Sequence, residues 1–375
     1  MPALRLLVLA GDVDSLITDI RLRTPLQALA RRAGFSLAWR SFHEASLADL
    51  RQADVLIVQR AFSPRVARLQ RQMHRQGGAV IYEIDDLLTE LPTHVSNHRQ
   101  VLARRGDLRA CMRQADLLTV ATERLGQALA PPHWQVVPNS ALPLGDSALP
   151  PVSANQPVTL VLASMEALAP GALHEALRGL PPTAARVVAV GPAAASLAAA
   201  GVALESHALM PREAFIRWVR ALPNPVAVIP LEASRFASCK SAIKWFEYGE
   251  AGVPVLCSNL SPYREVIEDG RTGWLVANET EAWRKALQAV IAGGPQRQQV
   301  AQAARAVVRT YHTLDLTVQA WGRAIAQAQA LRQSDPRPAA GALTDFRDAL
   351  AFAADTLSLP LRRLNRARLA QRRRR

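Results

Sequence analysis

Lysine is almost missing from this chain. Of its 375 residues 45 are basic, yet only three of these are lysine, at positions 240, 244 and 285, and the rest are arginine. Cysteine is equally scarce: Cys111, Cys239 and Cys257 are an odd, widely spaced set with no metal-type pairing. That excludes a disulfide framework and fits a reduced, cytosolic protein. No apolar run approaches the roughly 18 residues of a membrane span, and Met1 to Arg5 leads directly into a short apolar strand in place of a signal peptide. No long block of repeats or low-complexity sequence occurs either, and with 49% hydrophobic and 20% charged residues a wholly disordered chain is excluded.

The formal charge of +14 suggests a nucleic-acid partner until it is located. Residues 360 to 375 hold eight arginines and no acid, which leaves +6 for the remainder. Beside this tail an amphipathic segment runs from Thr344, with Leu343, Phe346, Leu350, Ala354 and Leu357 repeating at three and four. The tail suits anionic lipid headgroups, a nucleic acid or a merely solvated terminus. Lipid is preferred, because no nucleic-acid motif and no aromatic-interleaved basic surface accompanies the charge.

Apolar strands alternate with amphipathic helices along most of the chain, the pattern of parallel sheets covered on both faces. Strands are expected at 4–10, 55–58, 79–84, 117–121 and 134–137, and again at 159–163, 185–190, 202–205, 226–230, 255–258 and 273–276. Between the two sets lies a stretch with prolines at 138, 143, 150, 151 and 157. The expected organisation is therefore a first domain over residues 1–145, a linker over 146–157 and a second domain over 158–310. A helix over 311–333 packs back on the domains, and a basic tail fills 334–375. Two doubly wound domains of this kind face each other across a cleft at the carboxyl ends of their strands.

Two of the three lysines stand four residues apart in Cys239-Lys240-Ser241-Ala242-Ile243-Lys244. If a helix covers the segment, Lys240, Lys244 and Glu247 share one face near its amino-terminal end, where free N–H groups and the dipole favour an anion such as phosphate. Two ammonium groups there are unfavourable to the helix itself, so an anionic ligand would offset a local cost. Glu247, one turn further, is placed to accept hydrogen bonds from sugar or ribose hydroxyls. In the first set, Asp85 and Asp86 follow an apolar strand. They suit orientation of an acceptor hydroxyl or stabilisation of positive charge, and equally a helix cap with a solvated neighbour. Asp12-Val13-Asp14 follows the first strand directly and reads as a solvated loop, not a metal site.

The stretch Lys240 to Val276 resembles the group-1 glycosyltransferases of the GT-B fold, a large retaining family. The likeness rests on Glu247 in a helix, Ala251-Gly252-Val253-Pro254-Val255, the loop Ser258 to Pro262, Glu265, and Asp269-Gly270-Arg271-Thr272-Gly273-Trp274-Leu275-Val276. The variant Lys-Ser-x-x-Lys-x-x-Glu-Tyr looks like a subgroup found among surface-polysaccharide enzymes. A weaker likeness covers Gln59-Arg60, Tyr82 to Leu87 and Val137-Pro138-Asn139-Ser140. Two positions depart from the family: Cys239 stands where its first glutamate is usual, and Ser164 to Leu168 lacks its Arg and Lys.

The resemblance implies metal-independent transfer of a sugar from a nucleotide diphosphate sugar to a glycan or lipid-linked acceptor, with retention and without a cofactor. The setting it implies is surface polysaccharide or lipopolysaccharide synthesis, in the cytoplasm or on the inner membrane face. Catalytic candidates are Asp85, Asp86, Lys240 and Glu247. Donor binding falls to Lys240, Ser241, Lys244, Glu247, Asn259, Leu260 and Ser261, with backbone N–H groups of the 258–261 loop on the phosphate. Acceptor binding falls to Arg21, Arg60 and His94, and His207 to Met210 borders the nucleobase. The rival readings are a non-catalytic GT-B scaffold that binds sugar nucleotides and a GT-B nucleotide-sugar epimerase.

Overall fold

The computed structural model describes residues 3–145, 148–150, 156–168, 171–181 and 183–334, together with Asp348 and Ala351. The expected tail helix from Thr344, the arginine cluster and most of the expected linker lie outside the described residues.

Two six-stranded, wholly parallel sheets form the molecule. The first comprises β1 (Arg5–Ala10), β2 (Ser36–Ser41), β3 (Val55–Gln59), β4 (Ala79–Ile84), β5 (Leu117–Val120) and β6 (Trp134–Val136), in the order β2-β1-β3-β4-β5-β6. The second comprises β7 (Val158–Ala163), β8 (Ala185–Val190), β9 (Glu205–His207), β10 (Pro225–Ile229), β11 (Val255–Ser258) and β12 (Trp274–Val276), in the order β12-β11-β10-β7-β8-β9. The order in which strands are added across the sheet reverses between β1 and β3 in the first sheet and between β7 and β10 in the second. Doubly wound sheets bind ligands at the carboxyl ends of such strand pairs.

The central strands are apolar along their whole length because helices cover both faces; every residue of β3, β4 and β10 is buried. Strand β2 was not legible in the sequence. It is an edge strand whose side chains alternate between exposed and half-buried, so Ser36-Leu37-Ala38-Trp39-Arg40-Ser41 carries no continuous apolar run. The strand expected at 202–205 forms instead at Glu205–His207. Val202 is drawn into the core, its N–H bonded to Leu197 O, before pairing with β8 begins. The helix Thr24–Ala33, between β1 and β2, is entered through a π-helical turn over Asp19–Arg23.

After the second sheet the helix Gly294–Tyr311 packs on the helix Ile243–Ala251, and the chain then crosses to the other domain. Helix Leu314–Ser334 buries Val318, Trp321, Ala324, Ile325 and Ala328 in the apolar cluster formed by Leu6, Val8, Ile57 and Ile81 of the first sheet. Trp321 Nε1 donates to Arg21 O at 2.9 Å. The helix Leu314–Ser334 thus joins the two domains covalently a second time.

Candidate active site between the domains

On the first domain, Arg60 and Asp85-Asp86 follow β3 and β4. Arg60 is held at φ +50°, and its N–H bonds to Glu83 O at 3.0 Å. Its Nη1 lies 3.2 Å from Asp85 Oδ1, and its Nη2 3.8 Å from Asp86 Oδ2. The adjacent carboxyls are driven apart in acidity. Burial raises the Asp85 pKa, with Arg60 opposing it. Burial acts on Asp86 too, but Lys240 and Arg60 outweigh it and hold Asp86 below the usual carboxylate range. One carboxyl inclined to keep a proton beside one held ionised is the division that acid–base sites use.

Arg21 does not belong to the acceptor set. Its side chain is fully buried, and its Nε donates to Glu83 Oε1 at 2.7 Å. Its Nη1 donates to Val137 O at 2.6 Å and to Asn139 Oδ1 at 2.8 Å. It is a structural cation that ties β4 to the chain leaving β6.

On the second domain, the helix carrying the family-like motif begins at Ile243, with Ala242 as its cap. Lys240 therefore precedes the helix, and the expectation of Lys240, Lys244 and Glu247 on one helical face is not met. A short helix over Arg235–Ser238 ends at Cys239, and Lys240 N bonds back to Ala237 O, so the chain turns before the long helix starts. The lysines diverge as a result. Lys240 Nζ crosses to Asp86 Oδ1 at 3.2 Å and lies 4.5 Å from the Phe236 ring centroid. Lys244, in the first turn, reaches Ala163 O at 2.8 Å, at the carboxyl end of β7. Burial, aided by the nearby Lys240 charge, lowers the Lys244 pKa to about 8. The N–H groups of the helix's first turn have no intrahelical carbonyl to bond.

Glu247 is paired with Arg212 Nε, and Arg212 Nη2 also donates to Ser140 O at 3.0 Å. Arg212 has no motif around it, and sequence reasoning missed it. The helix ends at Gly252, φ +72°, which starts the turn into β11; a Cβ there would meet the Leu149 side chain at 2.2 Å. Gly191 at φ +76° brings the loop after β8 against the loop after β7. A Cβ on it would lie 2.6 Å from Ser164 O.

The 258–261 loop is turned inward. Asn259 N and Leu260 N are bonded to Val276 O and Ser258 O, and Ser261 Oγ binds Ser238 O at 3.1 Å and Glu265 Oε1 at 2.7 Å. The N–H groups of Asn259 and Leu260 and the hydroxyl of Ser261 are thus engaged within the protein. His207 is also engaged, with Nε2 2.8 Å from Glu205 Oε1 and its ring beside Trp218.

The two halves touch through several polar contacts. Asn139 Nδ2 donates to Ser241 Oγ at 2.7 Å, and Thr122 Oγ1 to Cys239 O at 2.8 Å. Arg124 pairs with Glu265 at 2.5 Å, Arg235 with Glu90 at 2.6 Å, and His94 Nδ1 with Glu232 Oε2 at 3.6 Å. Cys239 and Phe236 are buried in the apolar cluster of the first domain, although they belong to the second half of the chain. A thiol stands there because the position faces an apolar domain contact. Among the described residues no cluster of three or more His, Cys, Asp or Glu able to hold a metal ion occurs.

Comparison with known proteins reaches this site from two directions. Residues 241–307 match the family model for glycosyl transferases group 1. A comparison with curated protein sequences finds no significant match. Among solved structures, sucrose-phosphate synthase from Thermosynechococcus elongatus superposes with a TM-score of 0.64 at 13% identity, covering 87% of this chain and 99% of that one. A glycosyltransferase from Rickettsia africae gives 0.60 at 11% identity, covering 88% and 99%. The Anabaena protein HepE in complex with UDP-glucose gives 0.59 at 13% identity, covering 86% and 99%. The chain has the two-domain GT-B fold, and the segment that begins at Ser241 carries the likeness to the group-1 glycosyltransferases.

Proposed function

We propose that this protein is a glycosyltransferase that moves a sugar from a nucleotide diphosphate sugar to a glycan or lipid-linked acceptor, with retention at the anomeric carbon. One observation carries the reading. The ammonium of Lys244 and the open first turn of helix Ile243–Ala251 meet at the carboxyl end of β7, while Lys240 spans the interface to Asp86. The diphosphate binds at that helix end. As the bond from the anomeric carbon to the diphosphate oxygen breaks, its electron pair stays on that oxygen, and the two ammonium groups and the backbone N–H groups stabilise the growing charge. These charges do the work of a metal ion, so transfer is metal-independent.

The acceptor oxygen forms the new bond on the same face, and its proton passes to the departing phosphate oxygen. Asp86, held ionised, orients the acceptor hydroxyl; Asp85 and Arg60 complete that wall. Glu247, oriented by Arg212, accepts hydrogen bonds from the hydroxyls of the donor, and Ser241 binds the phosphate. His94 lies at the acceptor side of the interface. The product is a surface polysaccharide or lipopolysaccharide precursor made on the inner membrane face, where the eight-arginine tail meets anionic lipid.

A thermal-shift screen against UDP, GDP, dTDP and CMP and their sugars, with and without EDTA, tests the donor site. A melting temperature raised by one nucleotide and unchanged by EDTA is the expected result. No shift with any of them would overturn the donor site and leave a non-catalytic scaffold for partner enzymes, the reading that Cys239 and the Ser164 to Leu168 loop, which has Glu166 but no Arg or Lys, would then support.

A further inference from the structure

The chain leaving β6 is held from within the first domain. Val137 N bonds to Val120 O at 2.9 Å, Val137 O accepts from Arg21 Nη1 at 2.6 Å, and Pro138 O accepts from Thr317 Oγ1 at 3.0 Å. Asn139, next in the chain, is therefore fixed in place; it is 5% exposed, with its side chain between Arg21 and Ser241. The turn that carries Ser241 is pinned to the same domain two residues earlier, where Thr122 Oγ1 donates to Cys239 O.

Hydrogen-bond chemistry sets which way the Asn139 amide faces. A guanidinium only donates, so the atom 2.8 Å from Arg21 Nη1 is the carbonyl oxygen, and the amide nitrogen is the atom 2.7 Å from Ser241 Oγ. That nitrogen cannot accept. Ser241 Oγ is therefore the acceptor of this bond, and its own proton has no acceptor among the described residues. Arg21 is in turn held by Glu83 Oε1, which takes its Nε at 2.7 Å in the core. A buried ion pair of the first domain thus dictates, through one amide, that a hydroxyl of the second half presents its proton.

We propose that Asn139 is a positioning residue for the donor diphosphate, which holds Ser241 as a hydrogen-bond donor to a phosphate oxygen. This rests on the reading of the segment from Lys240 to Lys244 as the diphosphate site. Ser241 stands between those lysines in the chain, directly before the cap of the helix Ile243–Ala251. A hydroxyl free to rotate turns its lone pairs toward a phosphate as readily as its proton, whereas one that already accepts from an amide is left with its proton to give. Because Asn139 and Ser241 belong to different halves of the molecule, the diphosphate is gripped in full only while the two halves are in contact.

Isothermal titration of the full chain with UDP, GDP and dTDP, each beside its nucleoside, tests this in the wild type, Asn139→Ala, Ser241→Ala and the double variant. A hydrogen bond to a charged group is at stake, so each single variant is expected to weaken the diphosphate that binds by about tenfold and its nucleoside by under about twofold. The double variant is expected to lose no more than Ser241→Ala alone, and Ser241→Thr, which keeps the hydroxyl, to retain the affinity. Unchanged diphosphate binding in Asn139→Ala, losses that multiply in the double variant, or an equal loss for the nucleoside would overturn the role of Asn139 and leave the donor site standing. A wild type that binds none of the three diphosphates would remove the donor site and this role with it. Asn139→Ser, whose shorter side chain can still accept from Arg21, takes the place of Asn139→Ala in the cycle if the latter fails to fold.

Discussion

The ammonium of Lys240 lies 3.2 Å from Asp86 across the boundary between two domains, from a turn that precedes its helix. The pair joins the loop after β4 to the segment that matches the group-1 glycosyltransferases. A charge shared in this way is free to turn toward a phosphate as negative charge develops. Lys240→Ala is expected to lower kcat by about ten- to a hundredfold with a smaller change in donor KM, since an interaction made only in the transition state appears in kcat. Steady-state kinetics check this, and an unchanged kcat would reduce Lys240 to a tie between domains.

If Lys244 holds the diphosphate as proposed, the reaction is expected to be sensitive to alkaline pH. Its pKa lies near 8, against an ordinary 10.5, chiefly because burial penalises its charge. Between those values the unfolded chain holds a proton that the folded chain has lost, so this group makes the free protein more stable as pH rises through that window. Donor binding has the opposite sign, because the diphosphate requires the ammonium. Nucleotide Kd is expected to rise about tenfold from pH 7 to pH 9, and Lys244→Arg, always charged, to flatten the profile. A wild-type Kd constant over that range would remove Lys244 from the phosphate site.

The ion pair between Arg21 and Glu83 has both side chains fully buried. Removing one partner leaves an uncompensated charge in the core, so Arg21→Met is expected to cost about 3–5 kcal/mol in urea denaturation. Because Arg21 also holds Asn139, which reaches Ser241, the same variant is expected to weaken nucleotide binding. The double variant Arg21→Met/Glu83→Leu is expected to recover much of the lost stability. Equal destabilisation in single and double variants would refute this.

At Cys239 the family's usual glutamate is not expected to restore or improve activity. The side chain is 2% exposed and packed in the first domain's apolar cluster. Cys239→Glu would bury a carboxylate beside apolar groups and is expected to lower the melting temperature by several degrees, while Cys239→Ala costs only about 1–2 kcal/mol. Differential scanning calorimetry of the two variants separates them.

Deletion of residues 361–375 is expected to reduce sedimentation with anionic vesicles while turnover of a soluble acceptor survives. Vesicle binding unchanged by the deletion would assign the tail to solvent.

Much of the architecture was legible because parallel, two-side-buried strands leave continuous apolar runs, as in Val55-Leu56-Ile57-Val58 and Val226-Ala227-Val228-Ile229. The edge strand β2 left no such run, and β9 was displaced because Val202 is a core residue without being a strand residue. Asp85, Asp86, Lys240 and Lys244 stood out by adjacency to strand ends and by the rarity of lysine. Arg212 was lost among the many arginines, and Arg21 was singled out but for an acceptor, since a type used widely on the surface carries little signal of its few buried places.

By itself the sequence determined the two sets of strands and helices, the proline-rich break between them and the motif that opens the helix at Ile243, because each is a local matter of periodicity and backbone preference. Only the tertiary structure decided what those residues face. It sent Lys240 to Asp86 and Lys244 to Ala163, sealed Arg21 against Glu83, and paired Glu247 with Arg212, since burial and charge pairing depend on neighbours tens to hundreds of residues away.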